Sequence, residues 1–352
     1  MTPVGIGIIG CGKVAWERHL PALAHLKDAR VVAAAEPDAA RLKSVADRFG
    51  IAQRFTDYRA LLDRNDVDAI AVLTPTGSHP EIGLAALDAG KHVLMEKPLA
   101  LTLDECDRLI AGGAHSTKKS VVCFNLRWHR LVRRARAFIA TGALGRIKAI
   151  RSTFAHYRLG FDAPDWHRKL ALGGGVTLND GVHHFDLWRW LLGSEVTRIF
   201  AASTPSEYFE DETSTVSAQM ANGALASAVF TFKTSPASEV EIYGEAGRLY
   251  LSCYRFDGLE FFPHSIYPGN IADRVKKTLA AVKELPHAIR TARLGGDFQS
   301  TFCGLWRHFL DCIRRDHPSE CTLQDGKRAV EIALAAVKSA SSGEPVNIQE
   351  AK

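Results

Sequence analysis

Short runs of consecutive apolar residues recur through the first third of the chain, at Val4–Ile9, Arg30–Ala35, Ala69–Leu73, His92–Met95 and Val121–Phe124. Runs without polar alternation predict strands covered on both faces. Amphipathic stretches with recognisable ends lie between them. The stretch from Asp38 to Phe49 stops at Gly50, and that from Pro80 to Ala89 stops at Gly90. A glycine in the left-handed conformation closes a helix at such a place. Thr102 with Glu105 reads as a capping box ahead of Leu103, Cys106, Leu109 and Ile110. Strands and helices alternating through short links predict an α/β domain over residues 1–124, with a parallel sheet and helices on both faces.

From about Asn125 the pattern changes to longer, alternating segments at Arg146–Ala155, Thr213–Ala221, Ala224–Phe232, Glu239–Tyr243 and Arg248–Ser252. Asn222-Gly223 marks a hairpin, and Gly244 to Gly247 a second turn. Helical runs are expected at Leu131–Ala140, Asn179–Leu192, Ile271–Arg293 and Leu323–Ser339. The expectation for residues 125–352 is an α+β domain with a large, open, mostly antiparallel sheet. Its last helix, 323–340, is expected to pack back toward the first domain.

The composition narrows the function. The chain has 352 residues, 46% of them apolar, with 44 basic and 39 acidic side chains and a net charge of +5. That surplus is spread along the chain, which argues against a nucleic-acid partner. The densest basic run, Arg127, Arg130, Arg133, Arg134 and Arg136, opens a helix and reads as a solvated or interface face. The seven cysteines are scattered and form no C-x-x-C pair, so no structural metal is expected and a reduced, cytoplasmic setting is. Val4 to Gly10 is too short for a membrane span, and no membrane partner is expected. The basic segment 262–293 reads as an insertion, a lid or oligomer contact ahead of a membrane-surface helix.

Gly10-Cys11-Gly12-Lys13-Val14-Ala15 directly follows the first strand and opens a helix, the context of a dinucleotide fingerprint. Gly10 permits the tight turn. Gly12 lets the backbone approach a pyrophosphate, whose charge the helix N-terminus favours, and Ala15 is the accepted small third residue. Glu36, at the end of the second strand, suits a ribose 2′-hydroxyl. The first domain is therefore read as a Rossmann domain, with Gly10, Gly12, Lys13, Val14 and Glu36 as cofactor-binding candidates. NAD is the expected cofactor; Lys13, Arg41 and Lys43 leave NADP open.

Glu96-Lys97-Pro98 follows the strand His92–Met95, and in this setting resembles the E-K-P motif of the Gfo/Idh/MocA oxidoreductases. The resemblance runs through Gly10 to Ala15, Thr74-Pro75-Thr76 with His79, Asn125-x-Arg127, Gly173-Gly174-Gly175, Gly181-Val182-His183-x-x-Asp186 and Ser342-Gly343-x-Pro345-Val346. It implies a nucleotide-binding domain followed by an open sheet that commonly forms the oligomer interface. It also implies an active-site Lys97, cofactor contacts from Thr74, Thr76, His79, Glu96 and Lys97, and often a cis bond before Pro98.

Oxidising a secondary alcohol requires a base for the hydroxyl proton and positive charge near the oxygen that becomes a carbonyl. An ammonium at Lys97 and an imidazole supply both. Residue chemistry alone pairs Asp180 with His184, four apart on a helix. The resemblance instead makes His183 the active-site histidine and puts Asn179 where the family often carries an aspartate. Asn125, Arg127, Trp166, Arg168 and His184 are candidates to touch a polyhydroxylated substrate. The expected function is NAD-dependent hydride transfer with a secondary alcohol of a sugar, cyclitol or sugar derivative. A redox-neutral NAD-dependent glycosidase and a non-catalytic NAD sensor are the alternatives. A homodimer or homotetramer is expected through the sheet, because a long alternating sheet needs its second face covered.

Overall fold

The computed structural model describes residues 2–265, 270–292 and 295–348. Arg293, counted above with the basic insertion, lies outside the described residues. The chain forms two compact units. The first comprises residues through Asn125 together with Phe302–Val330; the second comprises Leu126–Thr301 and the chain from Glu331 onward.

In the first unit, β1 (Val4–Ile9), β2 (Ala29–Ala35), β3 (Gln53–Phe55), β4 (Ala69–Val72), β5 (His92–Met95) and β6 (Ser120–Val122) form one sheet. Its order is β3-β2-β1-β4-β5-β6, with every pairing parallel. This is the doubly wound order of a Rossmann fold. β1 and β4 are buried at every position, as unbroken apolar runs require. The ends of the helices follow their local chemistry. The Asp38 carboxylate accepts the amides of Ala40 and Arg41, Gly50 closes that helix at φ 67°, and the Thr102–Glu105 capping box is formed.

Phe302–Val330 belongs with this unit through buried contacts. The Trp306 indole donates to His19, the Cys321 carbonyl accepts the Val122 amide, and Leu323 approaches Gly113. The helix Gly296–Arg315 is absent from the expectations above. Its signal was nevertheless present, since Phe302, Leu305, Trp306, Phe309 and Cys312 recur at helical spacing and are buried.

The second unit carries β7 (Ile147–Tyr157), β8 (Val196–Thr204), β9 (Thr213–Met220), β10 (Leu225–Thr231), β11 (Lys233–Gly244), β12 (Gly247–Ser252), β13 (Leu259–Pro263) and β14 (Val346–Asn347). They form one eight-stranded sheet in the order β13-β12-β11-β7-β10-β9-β8-β14. All pairings are antiparallel except β7 with β10. Burial alternates along β9 and β10, so one face is core and the other is open. Asn222-Gly223 makes the predicted hairpin, with Gly223 at φ 82°. β8 went unpredicted because a register shift between Val196 and Arg198 breaks its period of two. Among the described residues no helix is long and apolar enough to cross a membrane.

Candidate active site

The cofactor-side candidates follow the carboxyl ends of strands in the first sheet. β1 runs into Gly10, β2 into Glu36, β4 into Thr74 and Thr76, and β5 into Glu96 and Lys97. The strand order reverses beside β1 and β4, and the crevice outside such ends is where open parallel sheets take ligands. Gly10 has φ +95°, and a Cβ there would stand 2.7 Å from the Leu73 carbonyl oxygen. Any side chain would therefore collide with the loop after β4. Gly12 is different, because a Cβ there would meet no protein atom within 4 Å. Lys13 is exposed with its ammonium 3.9 Å from Glu17, and Val14 is half-buried.

Glu36 is buried and organises the turn. One carboxylate oxygen accepts the Cys11 amide at 2.9 Å; the other accepts the Asp38 amide at 3.2 Å and the Arg41 guanidinium at 3.2 Å. Burial, followed by the Glu36 charge, pushes the Cys11 thiol up to about 12. Ser78 donates to the Thr74 hydroxyl at 2.7 Å, and Thr76 is buried. His79 is 1% exposed, with one ring nitrogen 2.8 Å from the Pro98 carbonyl and the other 2.8 Å from that of Thr74. Both ring nitrogens thus stand against backbone carbonyls of the loops after β4 and β5.

Lys97 is half-buried, and the Lys97–Pro98 peptide is cis. Its amide donates to Glu96 Oε2 at 3.0 Å, while Glu96 Oε1 meets His19 Nε2 at 2.8 Å. The Trp306 indole N–H, which can only donate, reaches His19 Nδ1 at 3.2 Å. His19 therefore carries its proton on Nε2 and donates it to Glu96. Burial raises the Glu96 carboxyl, but the His19 hydrogen bond and the Lys97 charge outweigh it and hold the group down at about 2. The ligating atoms of His19, Glu96 and Cys123 lie within 4.8 Å of one another. Burial pushes the Cys123 thiol well up, so the trio reads as a hydrogen-bonded cluster.

In the second unit a turn at Thr177–Gly181 leads into the helix Val182–Leu192. Asn179 is 5% exposed; its amide nitrogen donates to Asp180 Oδ1 at 2.9 Å and lies 3.3 Å from His167 Nε2. His183 is half-buried at the start of the helix. Asp180 lies 3.7 Å from His156 and 3.8 Å from Arg158, and the Arg158 guanidinium donates to both His156 and His167. An arginine can only donate, so both imidazoles accept at those nitrogens. His156, Arg158, His167 and the Asp180 contacts were missed by the sequence reading. The detectable signal was His156-x-Arg158, a period-two pair at the end of β7. Trp166 is half-buried with its ring 4.8 Å from that of His167, and Arg168 donates to the Phe161 carbonyl at 2.7 Å. Asn125, in the first unit, is buried.

Residues 4–124 match the family model described as oxidoreductase family, NAD-binding Rossmann fold, and residues 132–250 match the GFO/IDH/MocA C-terminal domain. The chain belongs to the GFO/IDH/MocA oxidoreductase family. It is 25% identical to myo-inositol 2-dehydrogenase of Thermotoga maritima, over 98% of both chains. It is 32% identical to dTDP-3,4-didehydro-2,6-dideoxy-alpha-D-glucose 3-reductase of Saccharopolyspora spinosa, over 70% of this chain and 74% of that protein. Its fold is that of the WlbA dehydrogenase from Bordetella pertussis, solved with NADH and UDP-GlcNAcA, at a TM-score of 0.83 and 22% identity over 99% of both chains.

The residues of this oxidoreductase fit NAD. The open space at Gly12 is what a pyrophosphate approaching the backbone requires, and the buried Glu36 carboxylate suits a ribose hydroxyl better than a 2′-phosphate. Glu36→Gln is expected to raise the ratio of NADP- to NAD-supported kcat/KM by about tenfold, the equivalent of about 1.4 kcal/mol. Steady-state kinetics with both coenzymes checks this.

Two substrate-side expectations need correction. Arg127 is 3% exposed and grips Asp186 with two hydrogen bonds, so its guanidinium is committed to a core ion pair. His184 is fully buried between Phe154 and Phe230, with ring centroids at 5.5 and 5.7 Å. Burial pulls its imidazole from 6.5 down to about 4. The unfolded chain therefore binds this proton from about pH 6.5 downward while the native chain does not. The resulting stability is fully present above pH 6.5 and is lost as pH falls toward 4. His184→Phe is expected to flatten that limb of the stability profile, read by urea unfolding across the window.

Proposed function

We propose that this oxidoreductase transfers hydride between NAD and a secondary alcohol of a sugar, cyclitol or nucleotide-linked sugar. The observation that carries the reading is the Glu96 carboxylate holding the Lys97 amide, directly after β5 in the unit that bears the dinucleotide turn. NAD, when bound, supplies the hydride acceptor. The protein's own residues do the rest. The Lys97 ammonium stabilises negative charge developing on the carbinol oxygen, and His183 takes the hydroxyl proton. Asn179 holds a substrate hydroxyl through its amide, beside Asp180 and His167. Asn125, Trp166 and Arg168 are the further substrate-side candidates, and Lys13, Val14, Thr74 and Thr76 flank the cofactor. The two relatives named above act, by their names, on a cyclitol and on a nucleotide-linked deoxysugar, which supports this substrate class.

The test is the reduced-nicotinamide absorbance with NAD across aldoses, cyclitols, sugar acids and nucleotide sugars. A substrate-dependent rise supports the reading, and turnover of an activated glycoside without net NADH formation would overturn it. A second copy of the chain is the proposed cover for the open face of the large sheet, where Phe200, Leu225 and Val229 are exposed. Leu225→Glu with Val229→Glu is expected to reduce a dimer or tetramer to smaller species in light scattering.

A further inference from the structure

The helix Ile271–Ala292 is amphipathic in the reverse of the usual sense. A surface helix ordinarily turns its apolar stripe to the core. This one turns charged and small residues inward. Lys277 pairs with Glu260 at 2.7 Å and sits over the Phe262 ring, Glu284 receives Arg130 and Arg134 at 2.7 Å each, and His287 meets Asp297 at 2.6 Å. Thr291 is buried on the same side. These ion pairs, spread over four turns, fix which face looks outward. That face carries Ile271, Val275, Leu279, Val282, Leu285 and Ile289 at intervals of three or four residues. All six are exposed, from 42% at Leu285 to 80% at Ile271. A contiguous apolar row of this kind marks an interaction surface.

Charge identifies the occupant. Arg274, Lys283 and Arg290 are exposed on this helix, while Glu284, the carboxylate among its described side chains, is consumed inward by two arginines. Two such helices laid face to face would bring the exposed Arg274, Lys283 and Arg290 against the same cations of the second copy. An anionic bilayer meets both features, with its acyl boundary for the apolar row and negative headgroups for cations whose long stems reach upward.

We propose that the helix Ile271–Ala292 is a peripheral anchor that lies on anionic lipid, with its apolar row at the acyl boundary and Arg274, Lys283 and Arg290 among the headgroups. The absence of a spanning helix does not bear on this, because an interfacial helix needs no span. The proposal is independent of the substrate reading above.

Flotation of the full-length protein with vesicles tests it. At low salt the protein is expected to float with phosphatidylcholine–phosphatidylglycerol vesicles and to stay behind with phosphatidylcholine alone. Arg274→Gln, Lys283→Gln and Arg290→Gln are each expected to weaken binding about fivefold. Leu279→Glu with Val282→Glu is expected to abolish flotation while leaving the thermal unfolding curve and NADH binding unchanged, since both side chains are exposed. Failure of the wild type to float with the mixed vesicles overturns the proposal, as does flotation that survives the double substitution. Light scattering provides a further arm. If the double substitution splits an oligomer, the row is a contact between copies and the lipid assignment falls.

Discussion

Lys97→Ala is expected to lower kcat by about 10²- to 10⁴-fold, the range for loss of a positioned group that moves a proton or stabilises developing charge. The Lys97 backbone is held through its amide by Glu96, Glu96 is held by His19, and His19 in turn by Trp306, so the substitution leaves the frame intact. NADH binding, followed by fluorescence titration, is accordingly expected to persist. A variant with unchanged kcat would remove Lys97 from the chemistry. Glu96→Gln keeps an amide oxygen for one of its two contacts and is expected to fall between wild type and Lys97→Ala.

The second large effect concerns stability. Asp186→Ala is expected to destabilise the fold by about 3–5 kcal/mol, because it leaves the 3%-exposed Arg127 charge without its carboxylate. Against a total of roughly 5–15 kcal/mol for a domain, that is enough to unfold a large fraction of the protein. Replacing both partners, Arg127→Met with Asp186→Leu, is expected to recover most of the loss, since two apolar side chains carry no desolvation cost. Urea unfolding of the three proteins separates the outcomes. Equal losses in the single and double variants would show that packing, and not the uncompensated charge, dominates.

The sequence by itself determined the elements whose signals are local. Unbroken apolar runs marked β1, β4 and β5, Gly50 and Thr102 marked helix ends, and Asn222-Gly223 marked a hairpin. It likewise marked the dinucleotide turn, which depends on glycines at set places after a strand, while Lys97 was singled out by the resemblance of Glu96-Lys97-Pro98 to the family motif. Partnerships between residues distant in the chain lay beyond it. Arg127 and His184 have the chemistry of ligand contacts, and their burial is set by what folds over them: Asp186 across 59 residues, and Phe154 and Phe230 from two strands. His19 and Trp306 are 287 residues apart and gave no sign of fixing Glu96. The segment 271–292 was legible as a basic helix, and the ion pairs to Arg130, Arg134, Glu260 and Asp297 decided that its apolar row faces outward. Local pattern states what a segment can present. Which side is buried, and which polar group finds a partner, is settled by the desolvation of groups brought together from across the chain.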